Sequence, residues 1–104
     1  MSIYDQVLNA WKRERQNTEL LELEPEFYTK CREYIHHLET QAKNDQDQLM
    51  TKLFNKRWTR VNYLINDFLT IRMQKQIRDI LSGTDFPKKL PIEEEEIRKK
   101  LQKQ

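Results

Sequence analysis

The stretch LMTKLFNKRWTRVNYLINDFLTIRMQKQIRDILSG, residues 49–83, decides the fold that we predict for this chain. From Leu49 to Leu69 its apolar residues recur at steps of three or four, which is the spacing of one face of an α-helix. Gly83 stands just past the last apolar residue, where a glycine commonly ends a helix. We therefore predict a single helix over about residues 46–81, roughly 50 Å long at about 1.5 Å per residue.

The apolar face of this helix changes in its last third. Arg72 falls within the arc of the first apolar stripe, and four apolar residues after it come up on a different side. Two interpretations account for the change: the helix kinks or rotates its final turns against the same core, or a second subunit packs on the far side. On the second interpretation the candidate subunit-interface residues are Trp58, Tyr63, Met73, Ile77, Ile80 and Leu81.

Two shorter amphipathic helices are predicted before the long one. The first begins after Ser2 as N-cap, and the second runs from about Pro25 to about Lys43, since proline suits the first turn of a helix. A polar stretch then forms the turn into the long helix. Its candidate N-caps are Asn44, Asp45 and Asp47.

After the long helix, SGTDFPKKLP reads as a linker and IEEEEIRKKLQKQ as the start of a short helix. Glu94 precedes Arg98 by four residues, an order that stabilises an exposed helix. The sequence therefore predicts an all-α fold: an elongated helical domain of three main helices with a long third helix, plus a short C-terminal connector helix. The expected divisions are a helical domain at 1–82, a linker at 83–91 and a connector helix or tail at 92–104.

The composition fits one helical, soluble domain. Charged residues make up 35% of the 104 residues and the net charge is +2, so no strong global attraction to nucleic acid or anionic membranes is expected. The single cysteine, Cys31, excludes an intrachain disulfide and favours a reducing compartment. No apolar run approaches the roughly 20 residues of a membrane-spanning helix, and the N-terminus lacks the pattern of an export signal. We expect a cytoplasmic protein.

The residue patterns that support catalysis are missing. His36 and His37 are adjacent, so on a helix they point about 100° apart and cannot share a metal ion. Cys31 lies on the apolar stripe of the second helix, as a core thiol does. The chain has one glycine, which excludes a glycine-rich phosphate loop. We predict a non-enzymatic protein with no catalytic residues, metal ligands or cofactors.

Basic residues on the long helix support two further predictions. Arg57 and Arg72 lie within its apolar face; either they reach solvent over their aliphatic stems, or they form ion pairs with the acidic segment 19–26 or with a partner chain. Basic residues at helical spacing also form a strip that could neutralise phosphates, with a solvated helix surface as the alternative. The candidate nucleic-acid residues are Lys52, Lys56, Arg60, Lys75 and Arg78.

Three pieces of the chain together resemble subunits of the GINS complex of DNA replication. They are LLELEPEFYTKCREYIHHLE (20–39), the polar break after it, and LINDFLTIRMQKQIRDIL (64–81). The resemblance is to the archaeal subunit type that carries its helical domain first, and it covers roughly residues 1–82. Where the family reads -I-R-x-x-K-I-, this chain reads IRMQKQI, with Gln76 as an additional residue. The positions that match the family pattern are Phe27, Tyr28, Tyr34, Arg72 and Lys75.

The resemblance implies a heterotetramer in which this chain joins a copy of itself and a second GINS subunit type. It also implies binding and activation of the MCM replicative helicase, together with a RecJ-like partner and with primase as a further contact. Such a protein would lie at the nucleoid, or in the nucleus of a eukaryote. Family members of this type carry a β-rich domain after the connector, and residues 1–104 show no β pattern, so the resemblance is to the helical domain only. The rival interpretation is a small helical DNA-binding protein that uses the basic strip of the long helix.

Overall fold

The computed structural model describes residues 2–44 and 47–102, the last two by their backbone alone, and the regular structure within these ranges is all-helical. Its helices are α1 (Ile3–Gln16), α2 (Phe27–Asn44), α3 (Gln48–Ser82) and α4 (Ile92–Gln102). The all-α class, the long third helix and the short C-terminal helix are therefore confirmed. In the described part of the chain, no helix combines the length and the apolar character needed to cross a membrane.

Local capping chemistry determines where α1 and α3 begin and where α3 ends. The Ser2 hydroxyl accepts a hydrogen bond from the Asp5 N–H at 3.2 Å, and the Asp47 carboxylate accepts one from the Leu49 N–H at 2.9 Å. Gly83 ends α3 with φ of 72°, a left-handed conformation that only glycine adopts without strain. Of the other predicted caps, Asn44 is the last residue of α2, whereas Asp45 and the expected helix start at 46 lie outside the described residues.

The second helix starts at Phe27, two residues later than the predicted start at Pro25. Residues 24–27 form a turn in which the Phe27 N–H donates to the Glu24 carbonyl at 3.1 Å. The Pro25 carbonyl accepts the Ile92 N–H at 3.0 Å, which joins this turn to the C-terminal segment.

The core lies where α1 and α2 cover the middle of α3. Val7 of α1 and Cys31 of α2 pack with Val61, Leu64 and Ile65 of α3, all of them buried. A cluster of aromatic rings continues this core, with centroids 5.6 Å apart for Phe27 and Phe68 and 6.4 Å apart for Tyr28 and Phe68. The two short helices thus hold the central turns of α3.

The domain is elongated, as predicted, with extents of 53 × 26 × 21 Å. Its radius of gyration is 16.1 Å, against about 13 Å for a compact domain of this size. The 35 residues of α3 set the long axis, because α1 and α2, with 14 and 18 residues, are too short to cover it. Leu49 and Leu53, at the N-terminal end of α3, are consequently 65% and 51% exposed.

The C-terminal segment folds back along the bundle. The Leu23 N–H donates to the Lys89 carbonyl at 3.1 Å, next to the Ile92 contact with Pro25. Leu90 is 4% exposed and Pro91 is fully buried. The segment that reads as a linker therefore packs against the chain between α1 and α2, and it delivers α4 to the side of α3.

Candidate interaction surface and buried ion cluster

The core-facing side of α3 continues through its last turns, but the side chains on it become polar. Arg72, Lys75, Gln76 and Asp79 are 1%, 8%, 7% and 5% exposed, and they follow Phe68 at helical spacing. The four apolar residues of these turns remain exposed, so the interpretation that the turns rotate them against the same core is wrong. Their exposed fractions are 60% for Met73, 52% for Ile77, 42% for Ile80 and 82% for Leu81.

Arg72 is the centre of a buried ion cluster, which we define as Arg72, Lys75, Glu14, Glu94 and Tyr28. Its guanidinium binds Glu94 through two parallel hydrogen bonds, Nε to Oε2 at 2.8 Å and Nη2 to Oε1 at 2.6 Å. Its Nη1 donates to Glu14 Oε1 at 2.8 Å and to the Leu21 carbonyl at 2.9 Å. The planar fork of arginine suits the bidentate contact, which joins α4 to α3, and the bond to Glu14 joins α1 to α3.

Lys75 completes the charge balance of the cluster. Its Nζ donates to Glu14 Oε2 at 2.8 Å, to the Glu14 carbonyl at 2.7 Å and to the Glu19 carbonyl at 2.9 Å. The ammonium group thus has three acceptors, which matches its three N–H donors. Two cations face two carboxylates, so the buried charges of the cluster compensate each other.

Tyr28 supplies the hydroxyl of the cluster, and its O–H donates to Glu94 Oε2 at 2.6 Å. Burial raises the pKa of Tyr28, and the neighbouring Glu94 carboxylate raises it further, so the phenol stays neutral. Burial alone would lower the pKa of Arg72, but the hydrogen bonds and charge of Glu94 raise it, so the guanidinium stays charged. The polar atoms of the cluster pair with each other and with the Glu14, Glu19 and Leu21 carbonyls, so the cluster links α1, α2, α3 and α4.

The structure separates the two arginines predicted as ion-pair candidates. Arg72 is buried and paired, whereas Arg57 is exposed and lies over the Tyr4 ring at 5.0 Å from its centroid. The carboxylate partners of Arg72 come from α1 and α4. The acidic segment 19–26, which was one expected source, contributes the Leu21 carbonyl instead.

Of the predicted basic strip, Lys52, Lys56 and Arg60 are exposed on the N-terminal half of α3. Including Lys75 in this strip was wrong, because its ammonium group is buried against Glu14 and cannot reach a phosphate. Arg78 is half exposed and pairs with Asp79 at 3.0 Å. Three consecutive members of the strip thus remain accessible on one helix.

The candidate interface residues of α3 are exposed. Leu69, at 39%, extends Met73, Ile77 and Ile80 into an apolar row on the flank of the helix; these four residues are called the α3 row below. Trp58 is 37% exposed and its Nε1 donates to Glu39 at 3.0 Å, while Tyr63 is 61% exposed. Whether these residues contact a partner stays a prediction.

An apolar groove of about 370 Å³ lies beside the α3 row, between α2, α3 and α4. Its lining includes the apolar side chains of Cys31, Ile35, Ile65, Leu69, Met73 and Ile97, together with the Tyr28 ring. Cys31 is 3% exposed, and burial raises the pKa of its thiol to about 12, so it is a packing residue of the groove wall.

Sequence reasoning missed Glu14, Glu94 and Gln76. Glu14 stands seven residues after Val7, which places both on the core face of α1, and this spacing was the available signal. The expected Glu94–Arg98 pair is wrong, because Glu94 turns into the bundle and Arg98 pairs with Glu95. For Glu94 no local signal existed, since it is one of four consecutive glutamates.

Within residues 2–44 and 47–102, no three or more His, Cys, Asp and Glu side chains are grouped to hold a metal ion. His36 and His37 are both exposed on α2. Comparison of the chain with protein-family models, with curated proteins and with solved structures finds no match.

Proposed function

We propose that this chain is a non-enzymatic scaffold subunit of a GINS-like DNA replication complex. It would bind and activate the MCM replicative helicase and link it to other replisome proteins. The observation that carries the proposal is the exposed α3 row, which lies on the same helix as the core residues Val61, Leu64 and Ile65 but remains 39–60% exposed. The resemblance of residues 20–39 and 64–81 to the family supplies the identity of the complex.

The α3 row supports a protein partner because of its continuity. From Leu69 to Ile80 it rises about 17 Å along the helix, at about 1.5 Å per residue. Contiguous exposed apolar patches of this kind are typical of interaction sites, and isolated surface apolar residues are not. At protein interfaces a few well-packed residues near the centre of the patch supply most of the binding energy.

The buried ion cluster supports the proposal by explaining residues of the family pattern. Tyr28, Arg72 and Lys75, three of the five matching positions, lie together in the cluster. In this proposal they hold the bundle rigid and leave the α3 row free for neighbouring subunits. The partners within a heterotetramer would be a copy of this chain and a second GINS subunit type. The assembled complex would in turn bind MCM helicase, a RecJ-like protein and primase.

The proposal is tested by co-expressing the chain with an archaeal GINS subunit of the second type and measuring the mass of the complex by light scattering. The variant Met73→Glu with Ile77→Glu should release the chain as a monomer with unchanged helicity, because both residues are more than half exposed. Leu49→Glu with Leu53→Glu is the matched control, since it adds the same charges to exposed apolar residues of α3 outside the row.

A second measurement addresses the helicase. The wild-type complex, immobilised on a biosensor, should bind MCM, and the monomeric variant should not. The proposal would be abandoned if the wild-type chain neither assembled with the second subunit type nor bound MCM.

DNA binding is the second candidate function, and the exposed Lys52, Lys56 and Arg60 favour it. If it is correct, the chain alone should bind a fluorescent duplex or single strand with an affinity that falls steeply with salt. Lys56→Glu with Arg60→Glu should then weaken binding at least tenfold, whereas a charge reversal at the buried Lys75 would report on folding instead. Tight binding by the purified chain would favour this function over the scaffold.

A further inference from the structure

The groove between α2, α3 and α4 contains two buried polar atoms that have no hydrogen-bond partner among the described residues. They are Gln76 Nε2, a donor, and Glu93 Oε1, an acceptor. Gln76 is only 7% exposed, whereas the Glu93 side chain is 39% exposed and its other oxygen pairs with Arg32 at 2.8 Å. Buried polar atoms are nearly always paired in folded proteins, so this combination within one apolar groove points to a ligand.

We propose that the groove binds an extended peptide segment of a partner protein. A large apolar side chain of the peptide enters the groove, a backbone carbonyl accepts the Gln76 Nε2–H, and a backbone N–H donates to Glu93 Oε1. This inference goes beyond the scaffold function, because the peptide need not belong to a GINS subunit.

One unpaired donor and one unpaired acceptor favour an occupant with free backbone N–H and C=O groups. An extended peptide has backbone N–H and C=O groups that are free to bond to another molecule. In a helix these groups bond to each other, except in the first and last turns. The helices of a second copy of this chain could not pair their backbones with Gln76 and Glu93. The Glu93 carboxylate is also complementary in charge to an N–H donor, and such a charge-assisted contact would set the direction of the peptide.

The shape of the groove explains the preference for a large apolar side chain. Its volume of about 370 Å³ is at the lower end of the range of ligand-binding pockets. Ile35 and Ile65 form fixed walls, and Met73 is a flexible side chain that adapts to different occupants. Leu69 and Ile97 border the groove on α3 and α4 and are each about 40% exposed, at 39% and 44%.

The experiment is a selection from a phage-displayed library of random linear nonapeptides on the immobilised full chain. Enriched peptides are then synthesised with a fluorophore and titrated by anisotropy. We expect them to share one large apolar residue. Ile97→Glu should weaken binding at least tenfold, and Gln76→Met, which keeps the side-chain length but removes the donor, should weaken it three- to tenfold. The control Leu53→Glu changes an exposed apolar residue of α3 outside the groove and should leave the affinity unchanged.

An ester scan of the best peptide tests the backbone contact itself. Replacing the amide that faces Glu93 by an ester removes its N–H and should weaken binding to the wild type but not to Glu93→Ala. The inference is overturned if no peptide is enriched, if the bound peptide is helical by NMR, or if Gln76→Met and Ile97→Glu bind as well as the wild type. It is also overturned if Ile97→Glu turns a dimer of the chain into a monomer, since a second copy would then occupy the groove.

Discussion

Replacing Arg72 by Met tests the buried ion cluster most directly. Methionine keeps most of the aliphatic stem of Arg72 but removes the charge that Glu94 binds through two hydrogen bonds. Among the described residues, the Tyr28 hydroxyl then remains as a side-chain partner of Glu94, which is 5% exposed. Removing one partner of a buried ion pair costs about 3–5 kcal/mol, because the other charge stays buried and uncompensated.

This cost is large compared with the stability of a small domain, which is about 5–15 kcal/mol. At about 4–6 °C per kcal/mol for a domain of this length, the melting temperature should fall by roughly 12–30 °C. The double variant Arg72→Met with Glu94→Leu removes one charge of each sign and leaves Lys75 paired with Glu14. It should therefore be more stable than Arg72→Met alone, by about 2 kcal/mol or more.

The assay is urea unfolding followed by circular dichroism for the wild type, both single variants and the double variant. The cycle of four free energies isolates the Arg72–Glu94 interaction from the loss of packing. A loss below about 1 kcal/mol in Arg72→Met would refute the reasoning, because surface ion pairs contribute no more than that. A double variant less stable than either single variant would also refute it. Removing the Glu94 charge would then not have recovered the cost of leaving that charge buried without a partner.

Two further predictions concern a pKa and a backbone conformation. Because folding raises the pKa of Cys31 from 9.0 to about 12, the folded chain keeps a proton that the unfolded chain loses between these pH values. The free energy of unfolding should then decrease by up to about 1.4 kcal/mol per pH unit as the pH rises from 9 to 12, and urea titrations of Cys31→Ala should lack this component. Gly83→Ala should lower the stability by about 1–2 kcal/mol, because φ is 72° and no atom lies within 4 Å of the added methyl, so the cost is that of the backbone alone. Gly83→Asn should cost less than Gly83→Ala in the same thermal melts, since asparagine tolerates this conformation, and equal losses would contradict this explanation.

The positions and ends of the helices could be predicted from sequence because the signals are local. Ser2, Asp47 and Gly83 act within one turn of their own backbone, through hydrogen bonds and a φ angle that the residue type favours. Met73, Ile77 and Ile80 of the α3 row could also be located, since apolar residues outside the main stripe of a helix must point elsewhere, whereas Leu69 was assigned to the main stripe. The start of α2 lies two residues after the predicted one, at a turn whose Pro25 carbonyl bonds to Ile92, a residue 67 positions later in the chain.

The sequence by itself determined that the chain is helical, that α3 is too long for its neighbours to cover, and where its apolar residues fall. Only the tertiary structure decided which charged residues are buried. Lys56 and Lys75 both belong to the basic strip predicted for α3 from the sequence. Lys75 nevertheless bonds to Glu14, 61 residues earlier in the chain, while Lys56 is exposed to solvent. The reason is physical: a charge enters the core only where an opposite charge and enough hydrogen-bond partners meet it, and chain folding supplies these from distant segments.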